Sequence, residues 1–377
     1  MLGRYVLAAL LAQSGFHLFT ALLPFQMAQL GAADVAIGVV VGLGGLTQVP
    51  AALGMGRLTG RVGVETVLRI ALACYAIGSV LILIGVNRVD VLVPATGLGR
   101  SLHGVGYGLL IPASLTLVAS LATGPARSKS LGATASAMHV AFIVFPPLAL
   151  LLHQVGGTVL VVSVALVLLG LSYVGFRDGG RTGRATSPAN VNAPLSLGLL
   201  VHVGIGLHLA MQGVLFTRLP IYADPQVASL FFVSIGIGVV TGRLLLSRVP
   251  AVDSTAVLVV STILCVAGLV VLAVAPDTVG VPVTGLLMGA ASGLMMQLLT
   301  EWLTGGPAYH HAVHLSRFSA AMAIGLGVGS VASSSFPVAD PIRGPIPALA
   351  ATAMVAACCA VIGKRHLDTA NQRIRAT

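Results

Sequence analysis

"RDGGRTGRATSPANVNAP", residues 177–194, is the one long polar stretch in a chain that is otherwise almost continuously apolar. It is rich in Gly, Pro and Ser and carries three arginines, which marks a solvated linker. Six apolar runs precede it, at 5–30, 35–56, 66–86, 91–121, 131–152 and 158–176. Six follow, at 195–217, 227–246, 255–275, 280–303, 313–335 and 345–363. Each is close to the ~20 residues that carry a helix across the hydrocarbon core. The linker thus divides twelve expected transmembrane helices into two sets of six: an N-terminal bundle (1–176), the linker (177–194) and a C-terminal bundle with a short tail (195–377).

Composition agrees. Of 377 residues, 56% are hydrophobic and 8% charged, and the mean hydropathy is +1.01. A soluble surface needs about a quarter charged residues, so a soluble protein is excluded. The first run far exceeds the apolar core of a signal peptide and reads as a span. Cys74, Cys265, Cys358 and Cys359 all lie in apolar runs without paired spacing, so neither a disulfide framework nor a zinc site is indicated.

The basic residues orient the spans. One side collects fifteen: Arg4, Arg57, Arg61, Arg69, Arg127, Lys129, Arg177, Arg181, Arg184, Arg243, Arg248, Lys364, Arg365, Arg373 and Arg375. The other has Arg88, Arg218 and Arg343. By the positive-inside rule both termini are cytoplasmic, and the expected location is the cytoplasmic (inner) cell membrane. The net charge of +10 is then a topology signal facing lipid headgroups, and no nucleic-acid partner is needed to explain it.

The halves echo each other. "LFTALLP" (18–24) answers "LFTRLP" (215–220), and Gly104 and Gly108 align with Gly289 and Gly293 at a shift of 185. "SAM" (136–138) aligns with "AAM" (320–322) at a shift of 184. Together they indicate an internal duplication, common in transporter folds.

"GRLTGRVG" (56–63), between spans two and three, matches the signature G-x-x-x-D-R-x-G at Gly56, Arg61 and Gly63. Gly60 replaces its acid, and Val64 and Glu65 replace its trailing basic pair. "RSLHGVGYG" (100–108) carries R-x-x-x-G-x-G in span four, and "FIVFPPLAL" (142–150) keeps the proline of a span-five antiporter motif but not the preceding glycine. With these motifs and its 6+6 plan, the chain resembles the major facilitator superfamily over essentially its whole length. The resemblance implies an all-α membrane fold, two six-helix bundles related by a pseudo-two-fold axis, with spans 1, 4, 7 and 10 lining a central cavity. Gly56, Arg61 and Gly63 would form the conformational loop.

Polar residues fall where such a cavity would be. Gln13, His17 and Thr20 share one face of span one, and Arg100, His103 and Tyr107 share one face of span four. His208 and Gln212 in span seven, and Gln297 and Glu301 in span ten, each stand four apart. His139 in span five and Arg317 in span eleven complete the set. Ionisable residues at membrane depth are costly and normally face an interior or a wet cavity. The other reading of each histidine is a neutral hydrogen bond between helices. "YHHAVH" (309–314) places His310 and His314 four apart, but too few ligands are visible for a metal, and a solvated cytoplasmic loop is expected.

No clear deep carboxylate is present, so lipophilic cations are disfavoured and an anionic, zwitterionic or neutral polar solute is favoured. No phosphate-binding loop is present, which leaves protons as the simplest driving ion. His17, His103, His139, His208, Glu301 and Asp34 are the candidate proton carriers. The expected protein is a monomeric, proton-coupled exporter of a small organic or drug-like solute, with no cofactor or metal and with lipid as its surroundings. A nutrient importer is the first alternative; a histidine-ligated membrane enzyme or haem protein is the remote one.

Overall fold

The computed structural model describes residues 2–121, 124–177, 199–248, 253–304, 308–336 and 340–376. The linker beyond Arg177 lies outside them. So do the side chains of His139, Glu301 and the 309–314 cluster, whose backbone begins a helix at Ala308 and is not the expected loop.

The order is α1 (Leu2–Gln29), α2 (Asp34–Leu46), α3 (Gln48–Val62), α4 (Val64–Asn87), α5 (Leu92–Leu121), α6 (Gly124–Arg177), α7 (Leu199–Tyr222), α8 (Pro225–Arg248), α9 (Ser254–Val274), α10 (Gly280–Thr304), α11 (Ala308–Ala332) and α12 (Ile346–Ala376). Helices α2 and α3 are one span. Pro50 has no N–H for the Leu46 carbonyl, and the ladder breaks at Leu46–Gln48. Span two also runs past its expected end at 56: Gly56 and Gly60 stay helical, and the turn into α4 is Gly63 alone, at φ +83°. That conformation suits glycine.

Helix α6 is two spans. A straight helix of its 54 residues would be about 80 Å long, far beyond a bilayer. Gly156 and Gly157 leave helical geometry, Gly157 at φ +64°, and the chain turns back there. Phe142 meets His17 and His153 meets Phe25, so the first arm runs parallel to α1. Thr158 accepts from Gln26, Ser172 donates to the Ala8 carbonyl and Arg4 to that of Gly175, so the second arm runs antiparallel to it. Twelve crossings result.

The internal repeat is visible in packing. Helix pairs α1·α6, α4·α5 and α3·α5 recur as α7·α12, α9·α10 and α8·α10. Gly104 and Gly108 sit against the Gly44 and Gln48 carbonyls of span two; Gly289 and Gly293 sit against the Ile235 and Val239 carbonyls of span eight. In each case a Cβ would strike a neighbouring main chain, so these glycines set the closeness of the helices. Across the halves, Gly42 and Gly45 meet Gly327 of α11 in the same way.

Helices α1, α5, α7 and α10 are the central ones: 72, 56, 67 and 61% of their spanning windows are buried, against 28–44% for the others. The apolar core differs between the two ends. At the end with few arginines, one cluster joins both halves, from Leu22, Met27 and Ile37 to Phe216, Phe231 and Leu349. At the arginine-rich end the described residues form two clusters, one around Tyr5, Leu68 and Leu117, the other around Val201, Leu258 and Leu299. Among the described residues the apolar core thus runs across both halves at one end and is divided at the other, while Ser316 of α11 still donates to the Ala52 carbonyl of α3 at 3.4 Å.

Candidate functional site

The site begins on α1. Gln13 is fully buried, and neither its amide nitrogen nor its amide oxygen has a hydrogen-bond partner. One turn on stands Phe16, whose ring lies 4.3 Å from that of Tyr107 and 5.2 Å from that of His17, centroid to centroid. His17 is buried, 3.4 Å from Thr20 through Nδ1, with the Phe142 ring edge-on at 5.2 Å. Gln13, His17 and Thr20 of span one are all buried, and aromatic rings that bear no polar signal stand between them.

Helix α5 faces it with Arg100, 5% exposed. Its guanidinium carbon lies 4.5 Å from the Phe16 ring centre, and Nε and Nη1 have no hydrogen-bond partner. The group occupies a notch at Gly44 of α2, where a Cβ would stand 2.6 Å from Nε. His103, fully buried, turns the other way into α4. Its Nε2 lies 3.2 Å from the Tyr75 carbonyl and 3.1 Å from the Ser79 hydroxyl. Ser79 already donates to that carbonyl at 2.9 Å, and a carbonyl only accepts, so Nε2 carries the proton. His103 links two helices; its Nδ1, the acceptor in this tautomer, has no partner.

The second half contributes a hydrogen-bonded group of its own. Ser292 of α10 donates to the Met288 carbonyl at 2.7 Å, leaving its oxygen as an acceptor. Gln212 donates to that oxygen through Nε2, and His208 lies 2.7 Å from it through its own Nε2. The one hydroxyl proton being used, His208 must donate from Nε2. The four-residue spacing thus places His208 and Gln212 as read, on one oxygen that sequence reading did not single out. Ser292 was visible as one of few hydroxyls in the middle of span ten. Gln297 and Arg317 are half-buried on α10 and α11.

Two polar groups lie elsewhere. Asp34, read as a proton carrier, opens α2 at the arginine-poor end and accepts from the Tyr222 hydroxyl of the other half. Arg218, read as an outer-loop charge, is inside α7 and 2% exposed. It donates to the Pro341 and Ser333 carbonyls, with its guanidinium 5.1 Å from the Tyr222 ring centre. Span seven was expected to end at 217; it continues to Tyr222 because Pro220 follows an intact turn and its ring is tolerated near the helix end. Arg61 is exposed in the last turn of α3. Glu65, where the signature loop has a base, instead pairs with Arg69 at 4.0 Å within α4. Among the described residues no cluster of His, Cys, Asp and Glu could hold a metal.

The family model described as "Major Facilitator Superfamily" matches residues 5–334. Among curated proteins, none matches the chain. Among solved structures, a D-xylose–proton symporter superposes with a TM-score of 0.73 at 16% identity, covering 97% of this chain and 96% of that one. The human organic anion transporter MFSD10 (TETRAN) gives 0.65 at 15%, covering 95% and 98%. A mutant of the nucleoside transporter NupG gives 0.64 at 13%, covering 97% and 99%. At these identities the structures establish the fold, and their substrates are their own.

Proposed function

Because this chain belongs to the Major Facilitator Superfamily, and is accordingly a multi-pass membrane transporter rather than an enzyme, we propose that it is a secondary carrier that exports a small anionic, zwitterionic or neutral polar organic solute in exchange for protons. Residues 1–176 and 195–377 rock about the central site, joined by 177–194 and working as a monomer. The observation that carries this reading is the core that is continuous across the halves at one end and divided at the other. Two halves able to exchange which end is joined perform alternating access. With the arginine-rich end and both termini in the cytoplasm, this is the inward-open state of a carrier in the inner membrane.

The solute-facing groups are Gln13, His17, Thr20, Arg100 and Tyr107 from one half and His208, Gln212, Gln297 and Arg317 from the other. Of the histidines, His17 is taken as the proton carrier because it is buried on α1 with its ring 5.9 Å from that of Tyr107, beside the Phe16 ring that Arg100 also faces, and His139 of span five is the other candidate. Export is supported by the Pro146–Pro147 pair inside the first arm of α6, where the span-five antiporter motif falls without its glycine.

Import by symport is the second reading, and one contact favours it. His17 and Arg100 both touch the Phe16 ring. A proton on His17 would therefore favour an anion nearby, so that proton and anion bind together and move in one direction. Proteoliposomes with a trapped pH dye separate the two. An outward solute gradient should acidify the lumen under exchange and make it alkaline under symport. His17→Gln should abolish either response; flux of the same solutes with no pH response in the unmodified protein would sink proton coupling.

A further inference from the structure

We infer that Arg100, Gln13 and the Phe16 ring form the head-group site for an organic monocarboxylate. This rests on the carrier reading above and narrows its solute to one chemical class. Arg100 stands about 12 Å into α5 from Leu92. Seven acidic residues have described side chains, and none shares that depth. Asp34, Glu65 and Asp253 stand at helix N-termini, and Asp90, Asp224, Asp277 and Asp340 lie in turns between helices. The guanidinium keeps its charge at any working pH. A buried charge is ordinarily paired, yet Nε and Nη1 have no acceptor.

Three further features shape what would fill the gap. The Phe16 ring covers one face of the guanidinium, so a ligand meets its edge, where the N–H groups form a fork that fits the two oxygens of a carboxylate. Gly44 leaves room for the group that a side chain would fill. Gln13, one turn before Phe16 on α1, is a second buried side chain with both amide atoms unpartnered, able to donate to an oxygen or accept from one. Beside them, the rings of Phe16 and Tyr107, in contact and tilted by 39°, give an aromatic wall for the body of the solute. Beside Arg100, His17 and Thr20 bring no fixed charge, so the one fixed charge of this head-group site is matched by one carboxylate.

The test uses the full chain in detergent, where binding is read as a rise in melting temperature without any gradient. Benzoate, benzamide, benzylamine and inorganic phosphate are compared at equal ionic strength. Benzoate alone should stabilise the unmodified protein. Arg100→Gln should weaken its apparent binding at least 100-fold, and Arg100→Lys about tenfold, because a lysine cannot form the fork. Gly44→Ala, which presses on Nε without removing charge, should also weaken benzoate. Equal stabilisation by benzamide or by phosphate, no response to benzoate, or a folded Arg100→Gln that keeps the response would each overturn the assignment. The unmodified protein alone can therefore decide if Arg100→Gln does not fold. Benzoate binding without benzoate flux in vesicles would sink the carrier reading and leave the site standing. Flux of neutral solutes without benzoate binding would do the reverse.

Discussion

Replacing Tyr222 by Phe removes one oxygen and, with it, the hydrogen bond that joins the halves at their sealed end. The substitution is clean. Arg218 keeps both main-chain carbonyls within its own half, and the ring under its guanidinium survives. A hydrogen bond to a charged group contributes about 1.5–3 kcal/mol. Tyr222 and Asp34 are half-buried, and water can take over part of the bond, so about 1.5 kcal/mol applies here. That shifts the equilibrium toward the state open at this end by roughly tenfold. The Phe142–Phe216 and Phe142–Phe232 contacts still join the halves, so the protein should stay folded. Spin labels at Val35→Cys and Gln226→Cys, both exposed at this end, would report the distance in a background lacking Cys74, Cys265, Cys358 and Cys359. A longer-distance population should grow about tenfold in Tyr222→Phe. Asp34→Ala should give a similar growth, and the double variant little more than either. Unchanged distances in both single variants, or fully additive effects, would show that the bond does not hold the mouth shut.

Three more outcomes can be checked on purified protein. Ser292→Ala leaves two buried donors, His208 and Gln212, without their acceptor; at about 1–3 kcal/mol per unsatisfied group the melting temperature should fall by several degrees, and an unchanged value would contradict the shared hydrogen bond. Gly289→Ala should lower folded yield sharply because its Cβ meets the Ile235 carbonyl, whereas Gly60→Ala, with open space around it, should be neutral or slightly stabilising on a helix; equal behaviour of the two on size-exclusion chromatography would refute the packing argument. Asp277, in the turn before α10, accepts the Gly280 and Val279 amides at 2.9 and 3.0 Å, and these bonds hold its carboxyl below the usual range. A depressed folded pKa gives stability that is present above the unfolded value and lost as pH falls through the folded one. Asp277→Ala should therefore melt lower than the unmodified protein at neutral pH, and the gap should close under acid; a constant gap across that range would argue against the cap.

What was legible in the sequence was whatever follows from periodicity and solvent. Apolar length gave the spans, and the helices around the centre announced themselves by polar residues on one face. Only a residue shielded by neighbouring helices can be polar at that depth, which is why Gln13, His17, Arg100, His208 and Gln212 were found and are all buried. Spacing fixes a face, however, and says nothing of which neighbour that face meets. His103 shares the Arg100 face by count, yet its ring rotates into α4 because the Tyr75 carbonyl and Ser79 lie within reach there. Arg218 looked like a loop charge because proline and acid follow it; the helix in fact carries it inward onto carbonyls of the 333–341 segment, a contact between positions over a hundred residues apart. Aromatic residues were the least visible, since a phenylalanine in a membrane span is indistinguishable by composition from one facing lipid. Phe16 nonetheless touches Arg100, His17, His103 and Tyr107. An apolar residue thus organises the polar cluster, and this follows from the charge of Arg100: where no acid is at hand, the face of an aromatic ring is the weakest counter-charge that still stabilises a cation, and it leaves the edge of that cation open to something stronger.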